Sequence, residues 1–112
     1  MAEAARGAKD AGGVTLGILP GLLHAEANPY LDFVLPSGIG IARNALTAAA
    51  CDLMIALPGG SGTMEEMLFA LDFGRTVISF GGPQVEGVEY VEATNYSGLV
   101  TLLHSVKKPA DS

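Results

Sequence analysis

The stretch DLMIALPGGSGTMEEMLFALDF, Asp52 to Phe73, places the tightest limits on what this chain can fold into. Asp52 to Leu57 is nearly all apolar and does not alternate, as a strand covered on both faces requires. Pro58 to Gly62 is a glycine-rich turn. Thr63 to Phe73 follows with Met64, Met67, Leu68 and Leu71 on one helical stripe, and Gly74 closes it. A buried strand that runs through a tight turn into an amphipathic helix is the building unit of a parallel sheet layered with helices.

The flanking sequence repeats this grammar. Met1 to Ala11 is predicted to be a helix rich in Ala, Glu and Lys, stopped by Gly12-Gly13. Val14 to Leu19 and Phe33 to Leu35 are short strands, each followed by a proline. Arg43 to Ala50 is a helix, Thr76 to Phe80 a fourth strand, and Val88 to Ala93 a weaker fifth. A last helix is expected with Ser97 as its cap and with Leu99, Leu102, Leu103 and Val106 turned inward. The tail KKPADS is expected to fray. Alternating strands and helices with continuous apolar strands define an α/β chain with a doubly wound, Rossmann-like parallel sheet.

Composition narrows the function classes. The chain has 112 residues, one domain's worth, and is 49% hydrophobic, enough to bury a core. Aromatics make up 6% and Trp is absent, which disfavours an aromatic platform for single-stranded nucleic acid. The formal charge of -6 disfavours nucleic-acid and anionic-membrane partners. Cys51 is the only cysteine, so neither a disulfide framework nor a CxxC zinc site exists within the chain. No apolar run is long enough for a membrane helix, and no signal-like segment opens the chain. These features predict a reduced, cytoplasmic, soluble domain.

The chemistry concentrates at PGGSGT. In a doubly wound sheet the carboxyl end of a strand and the amino end of the next helix meet at the ligand crevice. Gly59, Gly60 and Gly62 permit close backbone approach and positive φ. The N–H groups of a helix start, with the helix dipole behind them, favour an anion such as phosphate. The same glycines also serve a plain sharp corner. The spacing is neither that of a P-loop nor GxGxxG.

Glu66 is read in two ways. It is a crevice carboxylate able to stabilise a developing cation, or the far half of a Thr63-x-x-Glu66 capping box. Glu65 is expected to be a solvated acid. Arg43, with Asn44 beside it, opens a helix after a Gly-rich loop. It either meets an anionic ligand or forms a structural ion pair with Glu66 or Asp52. His24 lies in a polar loop with Glu26, with no third residue at metal-ligand spacing, so no metal is expected. Cys51 is expected to be a buried, inert thiol.

Pro58 to Glu66, PGGSGTMEE, resembles the PGGxGTxxE motif of the lonely-guy superfamily, which includes cytokinin-activating phosphoribohydrolases often mislabelled lysine decarboxylases. The upstream phrases ILPG, ANPYLD and SGIGIARN are closer to a neighbouring branch that holds the molybdenum-cofactor carrier proteins. The resemblance runs from the first helix to the last. It implies a Rossmann-like fold, usually dimeric, with Arg43 and Glu66 at the catalytic positions of the hydrolases. Gly59, Gly60, Ser61, Gly62 and Thr63 correspond to the phosphate cradle. It further implies a small phosphorylated ligand such as a nucleoside 5'-monophosphate, with hydrolysis of its N-glycosidic bond and no required cofactor. A non-catalytic carrier or sensor, with molybdenum cofactor or a nucleotide as cargo, is the alternative.

Two departures from that pattern stand out. The hydrolases carry Arg-Lys where this chain has Arg43-Asn44, which weakens the case for cytokinin-type chemistry. Family members also open with a strand-helix-strand unit ahead of the helix that starts here. The resemblance therefore implies a single partial domain, 1–112, truncated at its amino end. An inactive fragment is the third reading.

Overall fold

The computed structural model describes residues 2–106. Met1 and the stretch 107–112, where fraying is expected, lie outside the described residues. The chain divides into two compact units, 1–43 and 44–112.

The first unit contains helix α1 (Ala2–Asp10) and strands β1 (Leu16–Leu19) and β2 (Phe33–Pro36). The two strands are parallel, with Leu16 opposite Phe33 and Leu19 opposite Pro36. Pro36 thus closes β2 from inside it, where a missing N–H is tolerated at a strand end. Asp32 staples the unit. Its Oδ1 accepts from Lys9 Nζ at 2.6 Å, and its Oδ2 accepts from the Thr15 N–H at 2.8 Å. The Lys9 ammonium, and then the Thr15 N–H, hold the Asp32 carboxyl below the usual range. Two stretches read as loops, His24–Glu26 and Gly40–Ala42, form single 3-10 turns.

The second unit contains α2 (Arg43–Ala50, entering from the first unit), β3 (Leu53–Ala56), α3 (Ser61–Asp72), β4 (Thr76–Phe80), β5 (Glu89–Val91) and α4 (Tyr96–Ser105). Its sheet has the order β3-β4-β5 and every pair is parallel. β4 is central, and Val77 to Phe80 are all buried. Alternation sorts them between two faces. Val77 joins Ala48, Ala56, Met67 and Ala70, whereas Ile78 and Phe80 join Val91, with Leu99, Leu102, Leu103 and Val106 packed against them. Helices α2 and α3 therefore supply one cover and α4 the other. This is the doubly covered parallel sheet that the apolar strands require, and the chain is an α/β protein.

Some boundaries shift. The strand expected from Val14 starts at Leu16, and the one expected over Val88 to Ala93 shortens to three residues. Helix α4 is capped by Asn95, not Ser97. The Asn95 side chain accepts from the Gly98 N–H at 3.0 Å, and Ser97 lies within the helix. Helix α3 ends at a Schellman turn, with Gly74 at φ +73° and the Arg75 N–H bonded to Ala70 O at 2.8 Å.

Candidate functional site: the amino end of helix α3

Strand β3 ends at Ala56, and four residues intervene before α3 begins at Ser61. Gly60 is the N-cap, with φ -94° and ψ -149°, and no side chain caps the helix. The first backbone bond into the helix is Met64 N–H to Gly60 O, at 3.4 Å. The amides of Ser61, Gly62 and Thr63 are thus the open donors of the first turn. No acidic side chain occupies that turn, so nothing there opposes an anion.

The capping box that was one of the two readings of Glu66 does not form. The helix starts two residues earlier than its apolar stripe indicates, because Ser61 and Gly62 are helical without contributing apolar surface. Thr63 is the third helical residue, and Glu66 lies in the second turn, beyond reach of the N-cap amide.

The role expected of the glycines also changes. None of Gly59, Gly60 or Gly62 has positive φ. A Cβ on Gly59 would overlap the Thr63 side chain, so that glycine serves the corner itself. A Cβ on Gly60 would meet nothing within 4 Å, and one on Gly62 would meet only Asn44 Nδ2, at 3.7 Å. The protein's own packing therefore demands neither of these two glycines.

Helix α2 lines the side of this turn. Asn44 is 5% exposed, its amide lies over Gly62, and among the described residues its side chain makes no hydrogen bond. One turn on, Thr47 Oγ1 lies 2.9 Å from Glu66 Oε2 and 3.0 Å from Asn44 O. The pairs 44–62 and 47–66 advance together, so α2 and α3 run parallel, with a polar seam leading away from the open amides. Glu65 points outward and is exposed.

Arg43 bonds to the backbone of β1. Its Nη1 donates to Ile18 O of β1 at 3.0 Å, within the first unit, and its Nε is buried without a partner. Cys51 is half-buried, and its thiol donates to Ala48 O at 3.3 Å. Burial pushes the Cys51 pKa up, which keeps it the protonated, inert form. His24 and His104 are exposed.

Two features were not singled out in the sequence. Thr47 is one; only the packing of α2 on α3 brings it to Glu66, 19 residues along the chain. The other is the turn after β4. A Cβ on Gly82 would come within 2.9 Å of Leu57 O and 3.0 Å of the buried Ser79 Oγ, so glycine alone lets this turn lie against the end of β3.

The chain is thus a parallel α/β protein of Rossmann-like class, with an uncapped, glycine-rich helix start at the carboxyl end of β3, the end of such sheets where ligands generally bind. The chain belongs to the SLOG cluster4 family, whose model matches residues 1–110. An uncharacterized protein of Archaeoglobus fulgidus is 36% identical over 101 residues, covering 86% of this chain. The match spans 66% of that protein's length. Among solved structures, the molybdenum cofactor binding protein of the phototrophic bacterium Rippkaea orientalis is similar at a TM-score of 0.79 and 27% identity, over 94% of this chain and 71% of that one. The molybdenum cofactor carrier protein of Chlamydomonas reinhardtii is similar at a TM-score of 0.72 and 28% identity, over 92% and 70%.

Proposed function

We propose that this chain is a carrier for a small phosphorylated ligand of the molybdenum-cofactor type, with the ligand's phosphate at the amino end of α3. The observation that carries this reading is Gly62. It occupies a helical position where alanine fits and where alanine is the better helix former by about 1 kcal/mol. A glycine that the fold does not need, beside the open amides and the Asn44 side-chain amide, suits the close approach of a ligand. The open space over Gly60 fits the same reading. Likeness to two molybdenum-cofactor proteins supports this cargo over a nucleotide.

The amides of Ser61, Gly62 and Thr63 donate to the phosphate, and the helix dipole adds attraction. The Asn44 amide lies beside the same turn as a further donor. Asn44 stands where the hydrolases hold a lysine, and a neutral amide suits holding a ligand better than polarising a bond. Nucleotide N-glycosidic hydrolysis, with Glu66 beside the developing cation, is the reading to be set against this one.

The test is to express the protein in cells that make the cofactor, purify it, and measure molybdenum and pterin against protein. Incubation with AMP then asks for ribose 5-phosphate. The carrier reading expects near-stoichiometric cofactor and no release of ribose 5-phosphate. Absence of cofactor together with multiple turnovers of AMP replaces it with the hydrolase reading.

A further inference from the structure

We propose that Thr47 is a positioning residue that fixes Glu66 as a single-point acceptor for a hydrogen-bond donor on the ring portion of the ligand. This rests on the reading that the amino end of α3 holds the ligand's phosphate.

The Thr47 hydroxyl has one proton and two acceptors in range, Glu66 Oε2 at 2.9 Å and Asn44 O at 3.0 Å. An ionised carboxylate has no proton to give, so a short contact with it must be a donation from Thr47. A charge-assisted bond of this kind is about twice as strong as a neutral one, so the proton goes to Glu66. The Asn44 carbonyl does not depend on it, because it sits in the first turn of α2 and has the helical N–H four residues on.

With Oε2 held, the Glu66 side chain loses its rotational freedom and Oε1 is left without a partner among the described residues. Gly62 and Glu66 are four apart on α3, so they share one face. Glu66 therefore stands on the face that begins at the open amides, one turn further along the seam. An oxygen that only accepts selects an N–H or O–H group. A ligand with phosphate at one end and an N–H-bearing heterocycle at the other presents such a group, whereas the phosphate itself does not.

Two probes separate the parts of the site. Ribose 5-phosphate tests the cradle, and guanosine 5'-monophosphate adds a ring with N–H donors. Titration calorimetry on the full chain compares wild type with Thr47→Val, Thr47→Ser, Glu66→Gln and the Val/Gln double variant. Thr47→Val is expected to weaken guanosine monophosphate at least fivefold and to leave ribose 5-phosphate within twofold. Thr47→Ser is expected to restore the loss. The double variant is expected to lose no more than the worse single, because both act through one carboxylate. If Thr47→Val weakens both probes alike, or neither, or if Ser does not restore binding, Thr47 is only a helix-packing residue and the proposal is overturned. If ribose 5-phosphate fails to bind the wild type, the cradle reading itself fails and takes this inference with it. Should Thr47→Val not fold, the Thr47→Ser and Glu66→Gln comparison with the same two probes decides. Full guanosine monophosphate affinity in Glu66→Gln overturns the proposal.

Discussion

The side-chain amide of Asn44, on α2, lies 3.7 Å from where a Cβ on Gly62 would stand in the first turn of α3. Asn44 is 5% exposed and Gly62 leaves the amide uncovered from that side. A side-chain amide thus stands beside a helix start that no side chain caps. Asn44→Asp exchanges it for a carboxylate of the same size beside the open amides. An anion there competes with phosphate and repels it. A phosphorylated ligand is expected to bind at least tenfold more weakly, measured by titration calorimetry, with the loss shrinking as pH falls and the new carboxylate protonates.

The cap of α4 can be checked by a pair of substitutions. Asn95→Ala removes the acceptor of the Gly98 N–H and is expected to cost about 1 kcal/mol of stability. Ser97→Ala changes a solvent-side residue already within the helix and is expected to stay within about 0.5 kcal/mol. Urea midpoints of both variants decide between the two caps.

Much of this unit was legible in the sequence, and the exceptions have physical reasons. The run Thr76 to Phe80 gave β4 without error, because Val77, Ile78 and Phe80 supply apolar side chains to both covered faces of the strand. The inward set Leu99, Leu102, Leu103 and Val106 was legible from helical spacing. The start of α3 was not, because Ser61 and Gly62 carry no apolar stripe, and the shift removed the capping-box reading of Glu66. Thr47 was invisible because its partner is 19 residues away, and only the packing of α2 on α3 brings them together. Arg43 was read as meeting an anionic ligand or a carboxylate, whereas its hydrogen bond among the described residues goes to the Ile18 carbonyl, and a backbone acceptor leaves no trace in a sequence.

Acid sensitivity should concentrate in the first unit. The Lys9 ammonium and the Thr15 N–H depress the Asp32 pKa in the folded state. A depressed carboxylate pKa gives stability that is present above the unfolded value, near 3.8, and lost as pH falls through the folded value. Urea midpoints are expected to drop below about pH 4. In Asp32→Asn this part of the pH dependence should vanish, and the variant should be less stable at pH 7 because the Lys9 bond is lost.

The central strand carries the second unit. Ile78 is 1% exposed among Phe80, Val91 and the apolar side of α4. Ile78→Ala is expected to cost about 2–5 kcal/mol, from lost burial and the cavity left behind. Ile55, at 38% exposure on the neighbouring strand, should tolerate the same change at a smaller cost. Denaturation curves of the two variants give the comparison.

The account turns on Gly62, where stability and binding should move in opposite directions. The decisive measurement is cofactor retention by Gly62→Ala, scored as molybdenum per protein after gel filtration, beside the melting temperature of the cofactor-free protein. The account predicts a melting temperature equal to or above that of the wild type, because alanine fits the helix, with at least tenfold less cofactor retained, because the methyl group covers the Asn44 amide. A variant that melts higher and still retains cofactor as the wild type does would contradict the assignment of the amino end of α3 as the ligand's seat.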